Sequence, residues 1–188
     1  MANNFSRLMN RLFRSGRADT SLENAKLEGR SETRPMSHAK EQRLTLNDPV
    51  FGTFTYDPAP SWFEATIEWN GAPVRISLGV NYPDKPDLDD IQEIAKSAQI
   101  MWVERDRWLE RCIEQACTDL LELANDWQTD IGPVSANEFK SRVHFDSLHF
   151  WDNDWFDMWL FDGDLFWGHG ICVRCSLSNG TEKAEMHG

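Results

Sequence analysis

The dipeptide Asn70-Gly71 is the tightest local constraint in the chain. It stands between two alternating runs, Trp62–Trp69 and Ala72–Leu78. Asn-Gly supplies the two consecutive left-handed residues that a two-residue hairpin turn demands. With that turn, Ile67 faces Val74, Ala65 faces Ile76 and Phe63 faces Leu78. These apolar partners share one side of the hairpin, while Glu64, Glu68, Arg75 and Ser77 share the other. A slip of one residue would turn every side chain over, so turn and pattern together fix the register.

The rest of the body is read outward from this hairpin. Val50–Tyr56 alternates and is rich in Phe, Thr and Tyr, which predicts a preceding strand ended by Asp57-Pro58-Ala59-Pro60. Downstream, no Gly or Pro interrupts residues 87–131. Asp87 is placed to cap a helix, with Asp89, Asp90 and Glu93 near its positive end. Ile91, Ile94, Ala95, Ala98, Met101 and Trp102 form one apolar stripe, continued by Trp108, Leu109, Cys112, Ile113, Ala116, Leu120, Leu123, Ala124 and Trp127. One helix of about 40 residues would be about 60 Å long, too long for a compact domain of this size. A break is therefore predicted near Val103–Asp106; the alternative is one long helix supporting a dimer. Ser135 and Glu138 form a capping box for a short helix ending near Ser141.

Three strands are predicted next, over Arg142–Trp151, Trp155–Phe161 and Leu165–Leu177. Asp162-Gly163 reads as a second tight turn. It would pair Leu160 with Leu165, Met158 with Trp167 and Phe156 with His169. Ile171, Val173 and Cys175 extend that apolar row, and the ring of Trp155 would lie over Gly170. The predicted fold is α+β: an N-terminal antiparallel β-meander, central helices and a C-terminal three-stranded antiparallel meander.

Charge divides the chain. Residues 1–46 hold 9 Lys+Arg against 5 Asp+Glu, whereas residues 47–188 hold 10 against 26, a net of −16. The chain thus reads as a basic amphipathic helix (1–17), a polar linker (18–46) and an acidic α+β domain (47–188). The acidic domain disfavours phosphate backbones, so no nucleic acid is expected on it. Phe5, Leu8, Met9, Leu12 and Phe13 make the apolar side of the arm, with Arg7, Arg11, Arg14 and Arg17 on its polar side. Such a helix suits an anionic membrane surface or a partner, or folds back onto the acidic body. The chain shows neither a secretory apolar run nor a membrane-length apolar stretch, so a cytoplasmic location is expected. Cysteines in such a chain read as reduced thiols. Cys172 and Cys175, three apart on a strand, point to opposite faces, which suits neither a disulfide nor a shared zinc unless a bulge intervenes.

The chemistry-bearing residues cluster late in the chain. His149 and His169 would flank Phe156, roughly 10 Å from each other and too far apart to share one metal. With Asp157 they are the candidate catalytic groups; core hydrogen bonding is the simpler role for both. Asp152, Asp154, Asp157, Asp162 and Asp164 cluster nearby, and paired carboxylates can hold a hard cation or do acid–base chemistry, but Asp152, Asp162 and Asp164 fall at turns, where Asp is favoured for backbone reasons. Trp155, Asp157, Trp159, Asp164 and Phe166 form a candidate binding surface on the sheet face opposite the core row.

The segment Asp48-Pro49-Val50-Phe51-Gly52-Thr53-Phe54, followed by Trp62 and Trp69, carries a resemblance. So do Leu123-Ala124-Asn125-Asp126-Trp127 and, above all, Asp162-Gly163-Asp164-Leu165-Phe166-Trp167-Gly168-His169. Together they resemble the bacterial family catalogued as domain of unknown function 2262, over about residues 47–177. The resemblance implies a bacterial protein and brings no catalytic residues with it.

The expected function is that of a non-enzymatic acidic interaction module for a basic protein partner, of immunity or antitoxin type, with no cofactor or metal. The alternatives are a metal-assisted hydrolase using His149, His169 and neighbouring Asp, and a membrane-peripheral adaptor anchored by residues 3–17.

Overall fold

The computed structural model describes residues 44–80, 86–127 and 132–188. The predicted arm helix, with Phe5, Arg7, Leu8, Arg11, Leu12, Phe13 and Arg14, lies outside the described residues, as does most of the predicted linker. A first strand, β1 (Thr45–Asp48), takes up the linker's last residues. It pairs antiparallel with β2 (Gly52–Asp57), which pairs with β3 (Trp62–Trp69). Between β3 and β4 (Ala72–Gly79), Ile67 faces Val74, Ala65 faces Ile76 and Phe63 faces Leu78. Asn70 and Gly71 take φ of 54° and 79°, the left-handed pair the turn needs.

Three helices follow. Asp87 caps α1 (Leu88–Val103) by accepting from the backbone N–H of Asp89 at 2.9 Å. The stripe Ile91, Ile94, Ala95, Ala98, Met101 and Trp102 is buried. The helix ends at Glu104, whose N–H turns back to Met101 O at 3.0 Å. Glu104 O then accepts from Trp108 N at 3.0 Å and opens α2 (Arg105–Trp127). The long apolar region is thus two helices, each short enough to lie along the sheet. Ser135 caps α3 (Ala136–Arg142) through Glu138 N at 3.2 Å.

The chain returns as β5 (His144–Phe150), β6 (Trp155–Phe161), β7 (Gly170–Ser176) and β8 (Gly180–His187). β8 is a fourth strand added to the three expected at this end. β5 pairs parallel with β4, which joins the two meanders into one mixed sheet ordered β1 to β8. Parallel neighbours need a crossover, and the helices supply it.

The core lies between sheet and helices. Trp102 meets Trp69 at 5.5 Å, Trp108 meets Phe156 at 5.1 Å, and Cys112 Sγ lies 3.5 Å from Cys175 Sγ. α2 also guards the β8 edge, because Asp119 accepts from the backbone N–H of Ala184 at 2.8 Å.

Two predicted registers are corrected. The β5–β6 connection has three turn residues, held by Asp152 Oδ1, which accepts from Asp154 N at 2.8 Å and Trp155 N at 2.7 Å. His149 therefore faces Asp157 rather than Phe156. Asp162-Gly163 makes no two-residue turn: Phe161 pairs with Gly170, and residues 162–169 form a long loop. Ile171, Val173 and Cys175 still face the core, because a register change of even length preserves the face.

Candidate functional site

The helix contacts described above all fall on one face of the sheet. Strand alternation puts a different set on the opposite face: Trp62 from β3, Ser77 from β4, His149 from β5, Trp155, Asp157 and Trp159 from β6, and Cys172 and Arg174 from β7. Trp62, Trp151 and Trp155 remain half-buried there. Trp159 is 9% exposed and lies flat beside Gly170, its ring carbons 3.4 Å from where a Cβ at that glycine would stand. The ring over Gly170 is therefore that of Trp159 and not, as expected, that of Trp155.

Asp157 is the electrostatic centre of this face. Its carboxylate is fully buried. Oδ2 accepts from the Trp151 indole Nε1 at 2.8 Å, and Oδ1 accepts from Arg174 Nε at 3.2 Å. The Asp157 hydrogen bond holds the Arg174 guanidinium protonated even more firmly than usual. Burial, and after it the same carboxylate, push the Cys172 thiol well up, which disfavours the reactive thiolate. A carboxylate without solvent needs such partners, since burying a lone charge costs several kcal/mol or more.

His149 is held differently. It packs between Trp151 at 4.0 Å and Trp62 at 4.8 Å, and it is 5% exposed. Neither Nδ1 nor Nε2 finds a hydrogen-bond partner. Burial lowers its pKa to about 3, so the ring is neutral at physiological pH. Asp157, its cross-strand neighbour, spends its two oxygens on Trp151 and Arg174 instead.

The 162–169 loop forms a second constellation. Asp162 is 5% exposed, and its Oδ2 accepts from Phe166 N at 2.7 Å and Gly168 N at 3.0 Å. Oδ1 accepts from Asp164 N at 3.3 Å. One buried carboxylate thus folds the loop around itself. Gly163 takes a φ of 56°, and a Cβ there would stand 2.2 Å from Arg142 O. Phe166, predicted for the binding surface, is fully buried instead, against Trp127 at 5.8 Å and Phe139 at 6.4 Å. The loop length explains the correction, because it folds Phe166 under the helices instead of leaving it on a strand. Asp164 is exposed in the same loop at a φ of 63°.

Trp167 is the residue that sequence reasoning missed. The expected pairing with Met158 made it a core residue; it is 73% exposed, at a φ of 57°. A left-handed conformation costs a bulky residue about 1–2 kcal/mol. The only sequence signal for it is its place in the loop segment of the resemblance.

His149, His169 and Asp157 do not converge. His169 sits in the loop, its Nδ1 2.5 Å from Phe166 O and its ring 5.4 Å from Trp127, on the helix side. His149 sits under Trp62 on the other side. Among the described residues, no group of three His, Cys, Asp or Glu is placed to hold a metal ion. Asp152 and Asp162 act as acceptors for turn N–H groups. Asp154 ties two turns together, accepting from Ser176 Oγ at 2.7 Å and Ser178 N at 2.9 Å, which lowers its pKa. No helix among the described residues is long and apolar enough to cross a membrane.

No curated protein and no solved structure matches the chain. A family described as an uncharacterized protein conserved in bacteria, DUF2262, matches residues 48–186. That span runs from the last residue of β1 to the penultimate residue of β8 and includes both constellations. The chain belongs to the DUF2262 family.

Proposed function

We propose that this DUF2262 protein is a non-enzymatic interaction module, of immunity or antitoxin type, that works in the cytoplasm and docks a basic protein partner on its helix-free sheet face. The carrying observation is the frame of half-buried Trp62, Trp151 and Trp155 around the ion pair of buried Asp157 with exposed Arg174. Tryptophan and arginine in a well-packed patch are the residues that concentrate binding energy. Charge favours a basic partner. The cations of this face are each matched within it: Arg75 by Glu64 at 4.0 Å, Arg174 by Asp157 at 3.2 Å and Lys183 by Glu185 at 2.6 Å. Asp57 and Glu68 add further negative charge, which speeds the approach of a positive surface.

The test is affinity purification of tagged protein from its native bacterium, in parallel with Trp155→Ala and with Ile100→Ala on the helix side. The reading expects a stoichiometric basic protein with wild type and Ile100→Ala, and its loss with Trp155→Ala. Absence of any stoichiometric partner, or equal recovery with Trp155→Ala, would overturn it.

A further inference from the structure

The Trp127–Trp167 pair lies apart from the helix-free face. Its two rings stand 5.1 Å apart and are tilted by 47°, so they touch each other and leave the outer face of Trp167 to solvent. Trp127 is half-buried at the end of α2, braced by Phe166 at 5.8 Å and His169 at 5.4 Å. Trp167 is held out by the loop that Asp162 organises, with Gly168 N bonded to Asp162 Oδ2 immediately after it. A large aromatic ring kept exposed in a left-handed conformation, on a loop pinned by a buried carboxylate, is prearranged rather than floppy.

The surroundings are acidic. Asp126 immediately precedes Trp127 at the end of α2 and Glu122 lies one turn before it; both line a neighbouring open groove of about 580 Å³ between α2 and α3 that the two tryptophans do not enter. Nearby cations are already engaged: Lys140 with Glu114 at 2.6 Å, and Arg142 with Gly163 O at 2.9 Å and Glu138 at 4.0 Å. Among the described residues, Glu122 and Asp126 have no ion-pair partner.

We propose that the Trp127–Trp167 pair binds an arginine side chain of a basic polypeptide partner on the exposed face of Trp167. A guanidinium plane stacks on an aromatic face, drawn by the negative charge of the ring's π cloud. Glu122 and Asp126 add long-range attraction for the same charge. The site does not depend on the helix-free face, and either surface can fail without the other.

The test is NMR titration of the tryptophan indole N–H resonances, assigned by Trp→Phe variants. The probe is the peptide acetyl-Ala-Arg-Ala-Arg-Ala-amide, with a control peptide in which neutral citrulline replaces both arginines. The expected result is saturable shifts at Trp127 and Trp167, with at least tenfold weaker binding of the citrulline peptide. Trp167→Ala abolishes the shifts at Trp127, and Trp167→Phe keeps most of the affinity. Asp126→Asn with Glu122→Gln weakens binding several-fold, and Trp155→Ala changes nothing. Equal affinity for the citrulline peptide, shifts spread equally over Trp62 and Trp155, or unchanged binding in Trp167→Ala would each overturn the assignment.

Discussion

The β3–β4 turn and the β6–β7 loop both place a left-handed glycine between two antiparallel strands, and they close their hairpins in different ways. Asn70-Gly71 does all the work of its turn with backbone conformation alone; nothing stands near Gly71 where a side chain would go. Gly163 instead lies against the backbone of Arg142, and Asp162 gathers the residues beyond it around one buried carboxylate. One connection is local and cheap. The other is a packed unit that holds Phe166 in the core and Trp167 in solvent. A hairpin signal in sequence therefore reports the chain's bending, while tertiary contacts decide how many residues the bend consumes.

Substitutions separate the two cases. Gly163→Ala adds a backbone collision to the left-handed strain, and is expected to cost about 3–4 kcal/mol in chemical denaturation. A loss below about 1 kcal/mol would mean that the loop is not packed against Arg142.

The histidines extend the contrast, since His149 lies under the hairpin's Trp62 and His169 belongs to the long loop. His149 is lowered to about 3 in the native state, so only the unfolded chain takes up this proton between about pH 6.5 and 3. Its contribution to stability is complete above pH 6.5 and falls as the pH drops through that window. His149→Leu should shrink the stability lost between pH 7 and pH 5 by about 2 kcal/mol. An unchanged acid limb in urea melts at the two pH values would show that the ring is not buried neutral.

Gly71→Ala meets no neighbour and should cost only the conformational strain, about 1 kcal/mol. A cost equal to that of Gly163→Ala would erase the distinction between the two connections. The smallest effect has the opposite sign. Trp167→Gly relieves a left-handed residue that is mostly exposed, and should raise stability by about 0.5–1 kcal/mol while removing arginine-peptide binding. A fall in the melting temperature would show that Trp167 serves packing rather than display.

These cases also say how much the sequence held. The β3–β4 register was readable because turn type and alternation agreed at every position from Phe63 to Leu78. The helix break at Glu104 was readable from length alone. Faces were readable by parity, which is why Asp157 and Trp159 stand opposite the helices. The β5–β6 turn was not, because nothing local announces that Asp152 will hold two N–H groups and add one residue. That single residue moved His149 from the core face to the other. β1 and β8 are edge strands, and β8 carries Glu182, Lys183 and Glu185 around buried Ala184, a pattern too polar to read as a strand. Trp167 was hidden by the apparent tight turn at Asp162-Gly163.

The seam between β4 and β5 has a consequence in time. Each meander closes through connections of at most eight residues, so its ladders are quick to nucleate. The seam pairs Arg75–Leu78 with Ser147–Phe150 across three helices, and its loop-closure entropy must be met before any of its hydrogen bonds form. The two half-sheets are therefore expected to zip first and to fuse last. On this account the seam sets the folding rate: mutations that weaken Ile76 or Leu148 slow refolding, whereas weakening β1 mainly speeds unfolding. Stopped-flow refolding of Ile76→Val against Leu46→Ala would separate the two limbs.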